Sequence, residues 1–337
     1  MKLHDGRTTQ FPFSDAKRIP RKNEKFWRGV ADGSQFQVHG NYFLDAKYWN
    51  RLRIWEKEEA HAIAVGRSSR SAVLVGRSAA MVLGLPVLSR AKGSALVAEL
   101  GYPGARKCGG VQRRAHDVKY RDHYLPPAQI LEVRGVRVTS PAQTVIDCAR
   151  FESFESALVV AEGALRRNPK LRDQIELLVA GMRGSPGLPR VRRRLRWASA
   201  LSESATESRA KAQLIEAGIL DTHKVMQNRE LLVDGSRYRP DFLIDGWLIV
   251  EIDGEEKYFG KYAPPDEALR GERVREVKLQ NAGYRVLRFG WAELEHRTMV
   301  EEVKKALAAD ARAGTKKGCH FAPKRQPGFN SSQRLAS

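Results

Sequence analysis

The stretch from Arg239 to Gly254, RPDFLIDGWLIVEIDG, constrains the fold most, because it places carboxylates within two apolar runs that a turn separates. Short runs rich in Ile, Val and Phe are typical of buried strands. Side chains two positions apart on a strand share a face, so Glu251 and Asp253 share the face of Ile249. Because a carboxylate among apolar neighbours needs a compensating partner, these acids are candidates for a functional site.

The length of the turn decides whether a third acid joins that face. A two-residue turn would pair Ile244 with Trp247 and put Asp241 on the face opposite to Glu251. A three-residue connection would pair Ile244 with Leu248 and set Asp241 directly across from Glu251. If the acids form a site, we therefore predict a three-residue connection or a bulge at this turn.

Carboxylates that meet on one face repel one another strongly unless a cation lies among them. Hydrolysis of a phosphodiester needs a cation that neutralises charge on the phosphate and activates a water, and Mg²⁺ prefers oxygen ligands of this kind. The sequence therefore predicts a site for Mg²⁺ or Mn²⁺ whose ligands are Asp241, Glu251 and Asp253.

A helix is predicted before these strands, in the segment SESATESRAKAQLIEAG. Ser202 or Ser204 is suited to cap its start, and Gly218 ends it. Glu207 shares a stripe with Leu214 at a spacing of seven, which predicts that Glu207 points inward. The alternative is an exposed glutamate that pairs with the lysine four residues later.

A second helix is predicted after the strands, from about Pro265 to Asn281, and Gly283 ends it. The next segment, YRVLRFGW, is predicted to be a buried strand of the parallel type. Lys278 lies on the shoulder of the inward face of the helix, where a basic side chain can clamp a phosphate or extend to the edge and neutralise a glutamate. The inward stripe is predicted to hold Arg270, Val274, Val277 and Asn281. Arg270 is predicted to bind nucleic acid, together with Lys257 and Lys261 ahead of the helix.

The charge of the chain points to a polyanion as the partner. Lys and Arg number 59 against 39 Asp and Glu, a formal net charge of +20, and an imbalance of this size most often serves nucleic-acid binding. A basic tail with solvated arginine-rich helices is the alternative. A compact basic cluster, predicted to contact phosphates or else to form a solvated helix face, consists of Arg190, Arg192, Arg193, Arg194 and Arg196.

The cysteines and apolar runs indicate a compartment. Cys108, Cys148 and Cys319 lie far apart, which argues against a disulfide framework or a zinc ribbon and favours a reducing environment. No secretion signal is recognisable, and no apolar run approaches the roughly 20 residues of a spanning helix. We therefore expect a cytoplasmic protein that has no membrane partner and uses no organic cofactor.

The first half of the chain shows mixed patterns. A hairpin is predicted with Gly33 and Gly40 in its turns, and a helix is predicted near Ser78 to Leu83. The segment VRGVRVTSPAQTVIDCARF predicts a strand and then a helix, with Ser140 as its N-cap and Pro141 as its first residue. A Gly/Pro cluster breaks the chain before residue 190, and a polar joint near residue 200 predicts a domain boundary.

The second half of the chain resembles the PD-(D/E)XK nucleases, and its Vsr-like branch in particular, over about Glu203 to Glu295. The resemblance rests on Pro-Asp, Glu-x-Asp, the helix before them and the segment ERVREVKLQNAGYRVLRFGW. It implies a restriction-endonuclease-like α-β-β-β-α-β fold in which Asp241 and Glu251 bind the metal and Glu207 is an outer ligand. Asp253 stands where the signature has a lysine, and would be a third ligand or position the water. The missing positive charge would come from Lys257, Lys261 or the next helix.

Residues 22 to 196 resemble AbiEi-type antitoxins, in which a winged helix-turn-helix precedes an α/β domain. The resemblance rests on RGVADGSQFQVHGNYF, GRSAAMVLGLPVL and VRGVRVTSPAQTVIDCAR. The fold class predicted overall is α/β (α+β). The predicted parts are a winged-helix-like segment (1–60), an α/β domain (61–199), a nuclease domain (200–310) and a disordered basic tail (311–337).

Two functions follow from these patterns. The leading hypothesis is a Mg²⁺-dependent DNA endonuclease whose first part locates DNA and whose second part cuts it. The alternative is a non-catalytic, antitoxin-like regulator that binds DNA or a toxin partner through a degenerate nuclease fold. An interaction module with no role on DNA fits the charge poorly.

Overall fold

A computed structural model of the protein describes residues 3–4, 10–89, 93–104, 117–122, 124–253 and 266–316. Side chains are described for these residues except 3–4, 266–272 and 312–316. The chain divides into two compact units, Met1–Arg209 (unit 1) and Ala210–Ser337 (unit 2). Both units combine helices with mixed β-sheets, so the predicted α/β class is confirmed at this level. The division into four parts stays a prediction.

After two short strands, unit 1 has a helix followed by a small hairpin. The side chain of Asn23 accepts the N–H of Phe26 and so caps the first helix. The hairpin turns at Gly40, whose φ of 56° is a left-handed conformation that favours glycine, and the predicted hairpin is confirmed. The elements are β1 (Leu3–His4), β2 (Ser14–Asp15), α1 (Glu24–Ala31), β3 (Gln35–His39), β4 (Tyr42–Asp45) and α2 (Ala46–Arg51), and β2, β4 and β3 form one sheet.

A five-stranded mixed sheet forms the centre of unit 1, in the order β8-β7-β5-β10-β9. The segment predicted as one strand is a hairpin of β9 and β10, because Arg134 (φ 56°) and Gly135 (φ 73°) turn the chain. The elements are α3 (Ile54–Ser68), β5 (Val73–Leu74), α4 (Gly76–Val82), β6 (Val87–Leu88), β7 (Ala98–Gly101), β8 (Val118–Tyr120), β9 (Ile130–Val133) and β10 (Val136–Thr139).

Helices follow the central sheet of unit 1. The predicted cap is confirmed, since the side chain of Ser140 accepts the N–H of Gln143 and the helix begins at Pro141. Cys148 on this helix is fully buried, and burial raises the pKa of its thiol well above the usual value, so it is a core residue. The predicted Gly/Pro break separates the last two of four helices: α5 (Pro141–Phe151), α6 (Phe154–Arg167), α7 (Leu171–Gly181) and α8 (Leu188–Leu195).

Unit 2 contains a four-stranded mixed sheet, in the order β11-β14-β15-β16, and a separate hairpin of β12 and β13. Strand β15 runs antiparallel to β14 and parallel to β16. The elements, of which α9 contains the division between the units, are α9 (Ala205–Glu216), α10 (Ile219–Thr222), β11 (Val225–Gln227), β12 (Leu231–Val233), β13 (Ser236–Tyr238), β14 (Phe242–Ile244), β15 (Leu248–Ile252), α11 (Asp266–Asn281), β16 (Arg285–Phe289), α12 (Trp291–Glu295) and α13 (Thr298–Lys316).

The alternation of β14 and β15 gives unit 2 a core on each face of its sheet. Phe242 and Val250 pack on one face, in a cluster that includes Val303 of α13. Leu243 and Ile249 pack on the other face, with Leu279 of α11. Because Asp241 and Glu251 lie two residues from Leu243 and Ile249, both acids belong to the α11 face.

Two predictions for unit 2 are corrected. The predicted inward stripe of α11 is wrong, because Val274 and Val277 are 56% and 47% exposed while Leu279 is 1% exposed. Leu279 packs on the sheet, so the buried face is set by this leucine and not by the two valines. The segment YRVLRFGW is parallel to β15 as predicted, but β16 is an edge strand and only its last residue, Phe289, is buried.

The last helix continues to Lys316, beyond the predicted start of the basic tail at residue 311, and residues 317–337 lie outside the described residues. Within the described part of the chain, no helix combines the length and apolar character needed to cross a membrane.

Candidate functional site

The turn between β14 and β15 has the predicted three-residue length. Ile244 pairs with Leu248, and this register sets Asp241 across from Glu251. Asp245 opens the turn with a φ of 49°, and its carboxylate accepts the N–H of the residue that precedes β11 at 2.9 Å. The register that the site requires is therefore confirmed.

Asp241 lies just before β14 and supports the end of the neighbouring strand. Its Oδ2 accepts the backbone N–H of Ile252 at 2.6 Å. A strand-end N–H that is half-buried needs an acceptor, and the carboxylate supplies one. Asp241 therefore has a structural role in addition to any role in binding a cation.

Glu251 is held by two arginines. Its Oε1 accepts a hydrogen bond from Nη2 of Arg275 at 2.8 Å, and its Oε2 lies 3.4 Å from Nε of Arg288. The side chain of Glu251 is only 14% exposed, so this charge is largely removed from water and is compensated by the two guanidinium groups. Sequence reasoning missed both arginines.

A basic cleft of about 380 Å³ opens beside Glu251. Arg275 belongs to both features, since it contacts Glu251 and lines the cleft. Its guanidinium carbon lies 5.7 Å from the centroid of the Tyr238 ring. Among the described residues its Nε is buried without a hydrogen-bond partner. The residues that line the cleft are Arg237, Tyr238, Arg239, Val274, Arg275 and Lys278.

The cleft has the chemistry of an anion site. Four of its six lining residues carry a permanent positive charge, and guanidinium groups bind phosphate oxygens with charge-assisted hydrogen bonds. Lys278 lines the cleft as a half-buried residue, which fits its predicted position on the shoulder of the helix. Nε of Arg275 is a buried donor that lacks a partner, and a bound anion could accept its hydrogen bond.

Asp253 and Glu207 were also predicted to belong to the site. Asp253 is half-buried just after β15, and its backbone N–H donates to the carbonyl of Phe289 at 2.9 Å. Glu207 lies in unit 1 and is 6% exposed, so its inward orientation is confirmed and the exposed alternative is wrong. Its carboxylate accepts the N–H of Glu203 at 2.8 Å, while its own N–H donates to Ser204. These bonds cap the start of α9.

The predicted three-ligand cluster is not preassembled. In the described part of the chain, one group of three His, Cys, Asp or Glu side chains has its ligand atoms within 4.8 Å of one another, and it lies in unit 1 (His39, His61 and Asp117). The trio of Asp241, Glu251 and Asp253 is not such a group. The contacts give the reason, since Glu251 is drawn to two arginines and Asp241 to the N–H of Ile252.

Three basic residues predicted to bind nucleic acid fall outside the described side chains. Lys257 and Lys261 lie outside the described residues, and only the backbone of Arg270 is described, within α11. Their roles stay predictions.

Two arginines of the cluster at α8 bond to the end of α5. Arg194 donates to the carbonyls of Ala149 and Glu152 at 2.8 and 2.6 Å, and Arg190 approaches the carbonyl of Arg150 at 3.4 Å. These bonds satisfy the carboxyl end of α5, which carries a partial negative charge. The exposed members of the cluster are Arg190, Arg192, Arg193 and Arg196, and the last of these stacks over Trp197.

Comparison with known proteins identifies two relatives. Uncharacterized protein MT2308 of Mycobacterium tuberculosis strain CDC 1551 is 31% identical to this chain over 165 residues. Uncharacterized protein Rv2248 of M. tuberculosis strain H37Rv shows the same identity over the same length. The match covers 49% of this chain and 59% of each relative. No protein-family model matches the sequence.

Proposed function

We propose that unit 2 is a metal-dependent DNA endonuclease domain, in which the basic cleft binds backbone phosphates and Asp241 and Glu251 hold a Mg²⁺ or Mn²⁺ ion. One observation carries the proposal. The register of β14 and β15 sets residue 241, just before β14, across from residue 251 of β15, and Arg275 links Glu251 directly to a cleft lined by cationic side chains. Acids next to a phosphate-binding cleft are what phosphodiester hydrolysis needs.

The arrangement of unit 2 supports the same proposal. With the short helix α10 and the hairpin of β12 and β13 set aside, its elements as far as β16 follow the order α9, β11, β14, β15, α11, β16. This is the α-β-β-β-α-β order that the resemblance to PD-(D/E)XK nucleases implies. In that arrangement the paired acids lie at the ends of two central strands, beside the second helix.

The donor set fits the proposed cation. Two carboxylates suit Mg²⁺ and Mn²⁺, and Mg²⁺ commonly uses one or two carboxylates while water and substrate oxygens complete its shell. Asp253, two residues after Glu251 on the same strand side, would add a ligand or position a water. When bound, the cation would neutralise charge on the phosphate and activate the attacking water.

Arg275 couples substrate binding to the state of Glu251. Its guanidinium pairs with Glu251 at 2.8 Å. A phosphate in the cleft would compete for the same guanidinium and so free Glu251 to bind a cation.

Plasmid cleavage tests the proposal. The purified protein is incubated with supercoiled plasmid and Mg²⁺ or Mn²⁺, with EDTA as the negative control. We expect nicking by the wild type and none by Glu251→Gln or Asp241→Asn. The asparagine retains an oxygen that can accept the N–H of Ile252, so the fold is preserved while the charge is removed. Glu276→Gln, on the same helix as Arg275, is the matched control and should cleave normally.

A second function is favoured by a specific observation. Glu251 is already neutralised by two arginines, and Asp253 replaces the lysine of the signature. Both features suit a non-catalytic, antitoxin-like regulator that uses the cleft only to bind DNA, or that binds a toxin protein. If the wild type shifts DNA but leaves it uncut with either cation, the regulator is the better description and the endonuclease proposal fails.

A role in locating DNA is proposed for unit 1. A helix followed by a hairpin, α1 and then β3 and β4, agrees with the winged-helix-like segment that the antitoxin resemblance implies. Exposed arginines on α8 add positive charge to the same unit. Such charge strengthens binding to phosphates without selecting a sequence.

A further inference from the structure

Three side chains from distant parts of unit 1 converge on one point. His39 ends β3, His61 lies in the middle of α3, and Asp117 directly precedes β8. Nδ1 of His39 lies 2.6 Å from Oδ2 of Asp117, and Nε2 of His61 lies 3.1 Å from the same oxygen. All three ligand atoms lie within 4.8 Å of one another. No part of the proposed nuclease function uses these residues.

The burial of the three residues forms a site that is closed on one side and open on the other. The side chain of His61 is 4% exposed, that of His39 is 22% exposed and that of Asp117 is 36% exposed. A buried imidazole forms the floor, and the carboxylate lies at the entrance. Such a site admits an ion from solvent and leaves room for water ligands.

We propose that His39, His61 and Asp117 bind one divalent transition-metal ion, for which Zn²⁺ is the best match. Two imidazoles and a carboxylate form a nitrogen-rich donor set, which suits Zn²⁺ and its neighbours rather than Mg²⁺ or Ca²⁺. This site therefore differs in its chemistry from the all-oxygen site proposed in unit 2. Its protein ligands number three, and water completes the coordination.

The hydrogen bonds within the cluster already bring the ligand atoms together. Oδ2 of Asp117 lies within hydrogen-bond distance of both Nδ1 of His39 and Nε2 of His61. A bound ion would take the place of these hydrogen bonds, with each imidazole neutral and its proton on the other ring nitrogen.

The metal would fasten elements that are far apart in the sequence. His39 and His61 are separated from Asp117 by 78 and 56 residues. Closing such long loops is entropically costly for the unfolded chain, so an ion is expected to bind these three residues only in the folded state. Its binding free energy would then add to the free energy of unfolding. The ion would hold the hairpin of β3 and β4 to α3 and to the strand β8.

The test compares metal binding by variants that keep the hydrogen bonds. In His39→Asn the amide nitrogen replaces Nδ1 as a donor to Asp117, and in His61→Gln it replaces Nε2, but neither amide is a good ligand. His223→Asn is the matched control, because Nδ1 of His223 also lies 2.6 Å from an aspartate, Asp245 in unit 2. The full chain is freed of metal with EDTA and titrated with Co²⁺ or Zn²⁺ in the absence of nucleic acid.

We expect the wild type and His223→Asn each to bind one more Co²⁺ ion per chain than His39→Asn or His61→Gln. The additional Co²⁺ ion should show d–d absorption bands in the visible range. Zn²⁺ should raise the Tm of the first two proteins and leave that of the other two unchanged. Cys319 and His320, which could bind metal on their own, are the same in all four proteins and do not affect the difference.

Equal metal binding by His39→Asn and the wild type would overturn the inference, as would a wild type that binds no Co²⁺ or Zn²⁺. Either result would show that the three residues form a structural hydrogen-bonded cluster that does not bind a metal. Because no measurement uses DNA or cleavage, the outcome is independent of the proposed endonuclease function.

Discussion

At the scale of single residues, Glu251 has a partner that the proposed function would exchange. Its ion pair with Arg275 joins a carboxylate that is 14% exposed to a guanidinium that is 37% exposed. A carboxylate so little exposed needs a positive partner. Under the proposal a divalent cation would take the place of Arg275 at Glu251, and a phosphate would take the place of Glu251 at Arg275.

Replacing Arg275 should have opposite effects on the binding of DNA and on the binding of a divalent cation. In Arg275→Gln we expect weaker DNA binding, because a cleft cation is lost, and tighter Mn²⁺ binding, because Glu251 loses a competing positive charge. Arg273→Gln is the matched control, since Arg273 is exposed on the same helix and does not line the cleft. Isothermal titration with Mn²⁺ and DNA measures both effects. Unchanged affinity for both partners would show that Arg275 does not couple them.

Two arginines of α8 should behave differently. Arg194→Ala removes hydrogen bonds to two carbonyls at the end of α5 and should lower the free energy of unfolding by about 1–2 kcal/mol. Arg192→Ala, at an exposed position, should change it by less than about 0.5 kcal/mol. Urea denaturation measures the difference. Equal stability of the two variants would argue against the capping role of Arg194.

The pH dependence of stability should report on Asp117. Because its pKa is lower in the folded protein than the usual 3.8, the ionised carboxylate stabilises the fold above that pH, and the stabilisation is lost as pH falls below it. Asp117→Asn should therefore be less stable than the wild type near pH 7, and the two should converge in acid. Urea denaturation in EDTA at several pH values checks this. A difference that stays constant with pH would contradict it.

At the scale of the elements, the register of β14 and β15 was predictable, and the rotation of α11 was not. The register was predictable because the three acids lie on one face of the two strands only if the turn has three residues. For α11, two valines and a leucine offered competing apolar stripes, and the sequence alone does not say which stripe meets the sheet. Contacts with the sheet decide it, and they place Arg275 beside Glu251.

The same limit explains the missed residues of the site. Arg288 lies across from Glu251 in the parallel pairing of β15 and β16. That neighbour could have been found by aligning the two strands once a parallel pair was predicted. The cleft also depends on Arg237 and Arg239 of a hairpin that sits outside the main sheet. No periodicity in the sequence indicates where such a hairpin packs.

The contact between α6 and β6 predicts an unusual effect of alanine. In most helices Gly→Ala is stabilising, by up to about 1 kcal/mol. At Gly163 a Cβ atom would lie 2.1 Å from Cγ of Pro86, so Gly163→Ala should destabilise unit 1 by about 1–3 kcal/mol. Gly181→Ala, where no atom lies within 4 Å of the added carbon, is the control. Thermal unfolding compares them, and a stabilised Gly163→Ala would refute the packing.

At the scale of the whole molecule, most of the net charge of +20 lies in unit 1, since residues 1–209 carry +17 and residues 210–337 carry +3. The sequence predicted a polyanion as the partner but could not say which basic residues face it. The contacts show that some arginines are structural, such as Arg194, while others line the cleft or are exposed. Total charge therefore overstates the number of side chains that are available to bind phosphates.

Salt dependence distinguishes the two basic surfaces. The logarithm of the DNA affinity should fall linearly with that of the salt concentration, and each lost phosphate contact should reduce the slope by about 0.9. One triple variant removes three basic residues of the cleft, with the substitutions Arg237→Ala, Arg239→Ala and Lys278→Ala. A second triple variant removes three exposed arginines at α8, with the substitutions Arg192→Ala, Arg193→Ala and Arg196→Ala. We expect the first variant to reduce the slope more than the second. Fluorescence anisotropy at several salt concentrations measures this. The reverse order would place the main DNA contact in unit 1.

Asp241 has a consequence for how such chains change over generations. Its carboxylate secures the end of a strand whether or not a phosphodiester is ever cut. If the chain cleaves DNA as proposed, a descendant that lost cleavage would still be selected to keep this aspartate, whereas Glu251 could change together with its arginines. Across diverging copies of this gene, variation at position 251 would then be the better record of cleavage.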